Sequence, residues 1–354
     1  MRRATRHRLA LYLRFVLAGV VAGIVYGSLV GFAMHSQPFV GAAVGMINGG
    51  TMTAVLAGIE IFGTPTRIGQ ALERAPFLVT FAARWLVYSS VIMLIIGGEL
   101  GARVLGAEGR PPQFAPLSLV FSFAVGFAIL FVFQLTRLVG GRTLRDIVLG
   151  RYHRPRREER FFLFIDVAGS TPLAERVGPE GVHRFLGRVF RLAAGPIEEH
   201  GGDVYQYVGD EMVITWTLAE GRPAAPPIAC FFAIEAALQA AATEFERHFG
   251  LAPRLRAALH AGPVITGEVG ESRRAIVFHG DVMNTASRLE DAARVLERSF
   301  VASAEAIARL DGLERYVLED LGLQALRGRA EPVHVYAVTT NGLPGSDDES
   351  LLCA

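Results

Sequence analysis

The stretch VYQYVGDEMV, Val204–Val213, is apolar and aromatic on both sides of a small polar knot, Gly209-Asp210-Glu211. Two short β-type runs meeting at Gly-Asp predict a hairpin with its turn at that knot. Asp and Gly are ordinary turn residues, so local structure alone accounts for them. A hairpin tip also holds a carboxylate rigidly and in the open, as a metal site requires. The surrounding stretches decide between the two.

Upstream, FFLFID (161–166) has the pattern of a buried strand ending in Asp166. Val167-Ala168-Gly169-Ser170-Thr171 follows, and then a helical pattern from near Pro172. A strand, a turn of small residues and a helix N-terminus form a cradle for phosphate, with backbone N–H groups and the helix dipole aimed at the anion. On this stretch alone, Ser170 or Thr171 could equally be a helix cap and Asp166 a turn residue. Asp166 and Asp210 on neighbouring strands beside such a cradle are what a pair of Mg²⁺ ions needs. Hard cations take oxygen ligands, shared between carboxylates and substrate phosphates. Downstream, HGDVMNTASRLEDAARV (279–295) is a helical pattern in which Asn284 and Arg288 stand four apart on one face. An amide beside a guanidinium suits a phosphoryl transition state. A solvated face with Arg288 paired to Glu290 or Asp291 is the simpler account of that helix taken alone.

Composition divides the 354-residue chain. Residues 1–140 are mostly apolar with long uncharged runs, and 141–340 have a globular mix. Four segments, about 11–33, 39–60, 77–101 and 115–137, reach the ~20 residues that span a bilayer. The first is too long and too close to the second to be a cleaved signal peptide. Arg2, Arg3, Arg6 and Arg8 precede span one, Arg67 and Arg74 lie between spans two and three, and six Arg between 142 and 157 follow span four. The loop after span one has no Arg, and the loop after span three has Arg103 and Arg110. The positive-inside rule therefore predicts a multi-pass protein of the cell (inner) membrane with both termini cytoplasmic. Gly19, Gly23, Gly27 and Gly31, then Gly41, Gly45 and Gly49, recur every four residues and predict close helix packing, within or between chains. Arg84, Glu99 and Asn48 are polar residues at or near membrane depth. The basic stretch 141–158 is expected to be a linker helix that continues span four until Pro155 stops it. The net charge of +1 gives no field for nucleic acid, and all 35 basic residues are Arg. The two cysteines, Cys230 and Cys353, suggest neither a disulfide framework nor a metal cluster.

FIDVAGST (164–171), GGDVYQYVGDEMV (201–213), LHAGPVITGEVG (259–270), HGDVMNTASRLE (279–290) and LGLQALRGRAEPVHVYAV (321–338), in this order, resemble the catalytic domain of the class III nucleotidyl (adenylate and guanylate) cyclases. The resemblance covers about 159–339. It implies an α+β domain with a ferredoxin-like βαββαβ core; with the apolar half this makes a multi-domain chain, an all-α transmembrane domain first and the α+β domain second, and the short acidic tail over 340–354 is expected to be disordered. It implies a homodimer with two sites in its interface, two Mg²⁺ or Mn²⁺ ions per site, and a nucleoside triphosphate as substrate. One chain would supply Asp166 and Asp210 as metal ligands with the Val167 carbonyl assisting, and the Gly169-Ser170-Thr171 turn for phosphate. The other would supply Asn284 for the ribose and Arg288 for the phosphorus. Arg327 falls where the family often has a phosphate-binding Lys. The 3′-hydroxyl would attack the α-phosphate and pyrophosphate would leave. At the two base-reading positions, where adenylate cyclases have Lys and Asp or Thr, this chain has Gln206 and Val277. Guanylate cyclases usually have Glu and a small Cys or Ser there. ATP is expected from family frequency, with a guanylate or promiscuous cyclase as alternative. A silent nucleotide-binding sensor would be expected to have lost one of Asp166, Asp210, Asn284 or Arg288. A diguanylate cyclase would have a different hairpin tip and no need of the Asn284/Arg288 helix.

Overall fold

The computed structural model describes residues 3–35, 38–63, 75–105, 115–271, 274–329 and 331–340. It divides into two compact units, Met1–Arg145 and Asp146–Ala354.

The first unit holds four long helices, α1 (Arg3–His35), α2 (Pro38–Gly63), α3 (Phe77–Leu105) and α4 (Ala115–Val139). Each contains a stretch long and apolar enough to cross a membrane: Leu9–Ala33, Pro38–Gly63, Phe77–Ile96 and Pro116–Thr136. The glycine stripes form the α1/α2 seam, so the packing they predict is within the chain. A Cβ on Gly23 would fall onto the carbonyl of Gly45, and one on Gly27 onto that of Gly41. Gly31 completes the row against Gly41. Small side chains let two backbones touch where lipid gives no hydrophobic incentive to associate. This seam consumes the stripes, which therefore lend no support to a helix interface between chains.

Arg84 on α3 donates from Nη1 to Glu60 Oε2 on α2 at 3.2 Å, with both side chains buried. Tyr88, one turn on, donates to the Leu56 carbonyl at 3.4 Å. Asn48 is half-buried on α2. The side chains of Glu99 and Arg103, the loops carrying Arg67, Arg74 and Arg110, Cys353 and the tail after Thr340 lie outside the described residues.

The linker helix expected over 141–158 is much shorter. Gly140, at φ 91°, separates α5 (Gly141–Val148) from α4, and Gly150, at φ 62°, lies two residues past its end. Both dihedrals lie in the left-handed region that glycine adopts without steric cost. Pro155 is not the stop, and strand β1 already begins at Arg156.

The second unit follows with β1 (Arg156–Ala168), α6 (Ser170–Glu199), β2 (Asp203–Val208), β3 (Glu211–Thr217), α7 (Leu218–Gly221), α8 (Pro226–Ala240), α9 (Ala242–Phe249) and β4 (Arg254–Val269). Then come β5 (Ala275–His279), α10 (Asp281–Val295), β6 (Phe300–Ser303), α11 (Ala304–Ile307), a single 3₁₀ turn, β7 (Tyr316–Gln324) and β8 (Val333–Thr340). The sheet order is β2-β3-β1-β4-β6-β8-β7, with β5 paired to the end of β4. The β2-β3-β1-β4 part is antiparallel throughout, as the ferredoxin-like βαββαβ core requires.

Strand alternation explains the layers. Phe161, Leu163, Ile165 and Val167 point to one face and join the core under α6 and α8. Phe162 and Phe164 point to the other and pack with Val213, Val264 and, on α10, Val282 and Ala286. The central strand is thus buried on both faces, which is why FFLFI reads as a continuous apolar run. Helix α8 is apolar all round for a related reason: Ile228, Cys230, Phe231, Ile234 and Leu238 are buried in this core.

Candidate active site

Parity along β1 places Asp166, two residues beyond Phe164, on the α10 face. The hairpin forms where the sequence puts it. Val208 pairs with Glu211, Gly209 takes φ 62°, and Asp210 follows it in the turn. Asp166 itself pairs with Glu211, so the hairpin tip comes down beside the strand end. The Asp210 carboxylate lies close enough for its charge to act on Asp166. Burial, then the Asp210 charge, pushes the Asp166 carboxyl above its ordinary value, and the Arg294 and Arg256 charges partly offset this. Burial with the charges of Glu290, Asp166, Asp210 and Asp291 drives Glu211 up to about 7.

Two basic groups border this cluster, and neither was singled out from the sequence. Arg256 pairs in register with Asp166, and its Nη1 lies 3.8 Å from Asp166 Oδ2 and 3.9 Å from Glu290 Oε1. Arg294 Nη2 lies 3.6 Å from Glu290 Oε2. Arg256 was legible only as an exposed-looking residue in a strand. Register with Asp166 gives it its place, and register is not visible in a single sequence.

Among the described residues, no group of three or more His, Cys, Asp or Glu side chains is arranged to hold a metal ion. The donor set nonetheless fits a divalent cation of the Mg²⁺ type. The Asp210 charge raises the proton affinity of Asp166, and a cation beside them would relieve that repulsion. The remaining ligands would be backbone oxygen, the Val167 carbonyl first, and phosphate oxygens of a substrate.

The Gly169-Ser170-Thr171 turn leads directly from β1 into α6. Gly169, at φ 82°, is the N-cap residue, with no side-chain cap bond. Neither Ser170 nor Thr171 is therefore the cap. Their side chains lie outside the described set.

A second constellation lies elsewhere on α10. Asn284 is exposed and Arg288 half-exposed. The Arg288 guanidinium lies against Gly328, the residue after Arg327, which is itself exposed. Arg329 fastens that turn to α10 through Asp281 at 3.1 Å and the Thr285 hydroxyl at 2.6 Å. The principal charges acting on Asp166 are Asp210, Arg294 and Arg256, and Arg288 is not among them.

Of the two positions expected to read the base, Gln206 is set by a bulge. In β2, Val204 pairs with Ile214 and Gln206 with Val213, leaving Tyr205 as the extra residue. Without it, Gln206 would face α6. With it, Gln206 shares a face with Val213, Phe164 and Asp166, since bulges re-aim side chains. Gln206 is exposed there, and Val277 is half-buried on β5, opposite Gly267.

Residues 154–340 match the family model of the adenylate and guanylate cyclase catalytic domain. The chain belongs to this family. Adenylate cyclase 2 of Rhizobium meliloti (strain 1021) is 35% identical over 288 residues, 81% of this chain and 77% of that protein. That stretch is longer than the catalytic domain, so the likeness reaches into the helical unit. Adenylate cyclase 1 of the same organism is 30% identical over 186 residues, 51% of this chain but 28% of that longer protein. Among solved structures, that of a bacterial light-regulated adenylyl cyclase shares the fold, with a TM-score of 0.51 at 20% identity over 66% of this chain and 67% of that one. The cyclase fold and the order of its motifs in this chain agree with the resemblance read from the sequence.

Proposed function

We propose that this cyclase converts ATP to 3′,5′-cyclic AMP and pyrophosphate at two sites in a homodimer interface. The observation that carries the reading is that Asp166 and the Asp210 hairpin tip stand together at the end of β1, in a chain whose residues 154–340 match the cyclase catalytic domain. The family resemblance pairs these carboxylates with Asn284 and Arg288 of a second copy of the chain. In that site Asp166, Asp210 and the Val167 carbonyl hold two Mg²⁺ or Mn²⁺ ions. When bound, such ions polarise the phosphate and favour loss of the proton from the attacking hydroxyl. Backbone N–H groups at the start of α6 and the Arg327 guanidinium hold phosphate oxygens. The partner copy supplies Asn284 to orient the ribose and Arg288 to neutralise charge building on the phosphorus. The 3′-oxygen bonds to the α-phosphorus, the bond to the β-phosphate oxygen breaks, and the 3′ proton leaves to solvent. ATP is favoured by the curated relatives and by Gln206, which can both donate to and accept from a purine edge.

One observation favours a second reading. Val277 has no polar atom, so a base held by Gln206 alone could be guanine, and a GTP or promiscuous cyclase follows. Incubating the purified full-length protein with Mn²⁺ and either nucleotide, with products identified by mass spectrometry, tests both. Cyclic AMP from ATP in clear excess supports the first reading, and equal or greater cyclic GTP from GTP supports the second. No cyclic product from either, with nucleotide bound, would overturn both.

We further infer that the four apolar helices anchor the chain in the inner membrane with both termini and the catalytic unit in the cytoplasm. The Arg distribution supports this. A membrane anchor also raises the effective concentration of two catalytic units.

A further inference from the structure

The catalytic unit opens with a buried polar knot that the proposed chemistry does not use. Tyr152, 1% exposed, lies just before β1. Its hydroxyl donates to Glu158 Oε1 at 3.1 Å and accepts from Arg160 Nη2 at 3.0 Å. Arg160 Nε donates to the same Glu158 oxygen at 2.8 Å, and the Thr266 hydroxyl on β4 donates to it at 2.6 Å. Burial raises the Glu158 carboxyl, but the bonds from Thr266, Arg160 and Tyr152 outweigh it and hold the group below its ordinary range. A buried ion pair is at best a weak source of stability, and an apolar replacement often holds a fold as well. What the knot does achieve is orientation. With Nε and Nη2 both fixed, the Arg160 guanidinium stands 4.7 Å over the ring of Phe278 on β5.

Phe278 in turn meets Tyr205 on β2 at 4.9 Å between ring centres. Tyr205 is the bulge residue beside Gln206, and Phe278 is the neighbour of Val277. Both strands are weakly held by the sheet. β2 is its outer strand, and β5 pairs with β4 over only five residues, Ala275–His279. The Tyr205–Phe278 contact ties the two strands directly, and Phe278 is itself held against the Arg160 guanidinium and the Phe162 ring.

We propose that Arg160, held by Tyr152 and Glu158, is a positioning residue for base selection: through Phe278 and Tyr205 it fixes the distance between the strands that carry Val277 and Gln206. This rests on the reading of Gln206 and Val277 as the base-reading positions. It assigns a specificity role to residues that touch no substrate, and it makes Tyr152 the point where the segment ahead of β1 meets the base site.

The test is steady-state kinetics of the full-length protein with ATP and GTP for Tyr152→Phe, which removes one oxygen atom, and for Arg160→Met and Phe278→Leu. The expected result is a rise in KM for the preferred nucleotide and a change of about fivefold in the ATP-to-GTP ratio of kcat/KM, with kcat nearly unchanged. Tyr152→Phe and Phe278→Leu combined should change the ratio by less than the product of their separate effects, because they act through one contact. Tyr152→Phe keeps the test alive should Arg160→Met not fold. Gln206→Ala is the reference variant. If it shifts the nucleotide ratio while Tyr152→Phe and Phe278→Leu leave it alone, or lower kcat only in step with melting temperature, the positioning role is wrong and the base-reading assignment stands. If Gln206→Ala leaves the ratio unchanged, both fail.

Discussion

Asp166 reaches the α10 face because Phe162 and Phe164 do. Alternation along a strand carries a carboxylate to the same side as two phenyl rings that α10 must cover. The same rule made Asp166 legible in the sequence, as a charge closing an apolar run. Arg256 escaped notice, and Glu290 was weighed only as a partner for Arg288, because their places beside Asp166 depend on pairing across strands and on packing from α10, which no local pattern encodes. Asp166→Asn or Asp210→Asn should lower turnover by about 10³-fold or more in an ATP cyclisation assay, with circular dichroism and melting temperature little changed, because each removes charge from a site that must hold cations. Arg288→Ala should cost about 10³-fold in kcat with a smaller change in KM, as expected for a guanidinium that acts on transition-state charge. His260 shows a residue whose sequence context hid its role. It lies on β4 with Nδ1 2.7 Å from the Ser303 hydroxyl, and burial pushes its imidazole down to about 4. In the unfolded chain it takes a proton near 6.5. Its contribution to stability is therefore complete above that value and is lost as pH falls from 6.5 toward 4. Between pH 7 and pH 5 the full-length protein should lose about 2 kcal/mol through this group. A smaller drop in melting temperature over that interval in His260→Gln would confirm it, and an equal drop would contradict it.

At the scale of elements, two devices were unevenly visible. The glycine stripes of α1 and α2 were plain in the sequence, but whether they join helices of one chain or of two was not. The structure closes them within the chain, carbonyl against Cα. Gly23→Leu should therefore cost at least about 3 kcal/mol, seen as a large fall in melting temperature of the detergent-solubilised protein. Gly58→Ala is the control, since a Cβ there meets only a Tyr12 ring carbon at 3.8 Å. The bulge at Tyr205 was invisible, because one unpaired residue leaves no mark on an aromatic alternation that looks regular. The end of the linker helix was misjudged for a similar reason. Pro155 is a louder signal than Gly150, yet the left-handed glycine lies nearer the helix end.

For the whole molecule, the family and the two-unit division were legible, because five motifs in order carry more information than any one of them. The proposed site draws Asp166 and Asp210 from one chain and Asn284 and Arg288 from another. The account therefore turns on complementation between two inactive variants. Full-length Asp210→Ala and Arg288→Ala proteins, differently tagged and mixed under conditions that allow exchange, would form mixed dimers holding one intact site and one doubly damaged site. Each variant alone should be inactive. With equal amounts and free exchange, half of the dimers are mixed, so the mixture should recover about a quarter of wild-type cyclic AMP production. Mixed dimers isolated through both tags, yet as inactive as either parent, would contradict a site shared between two chains.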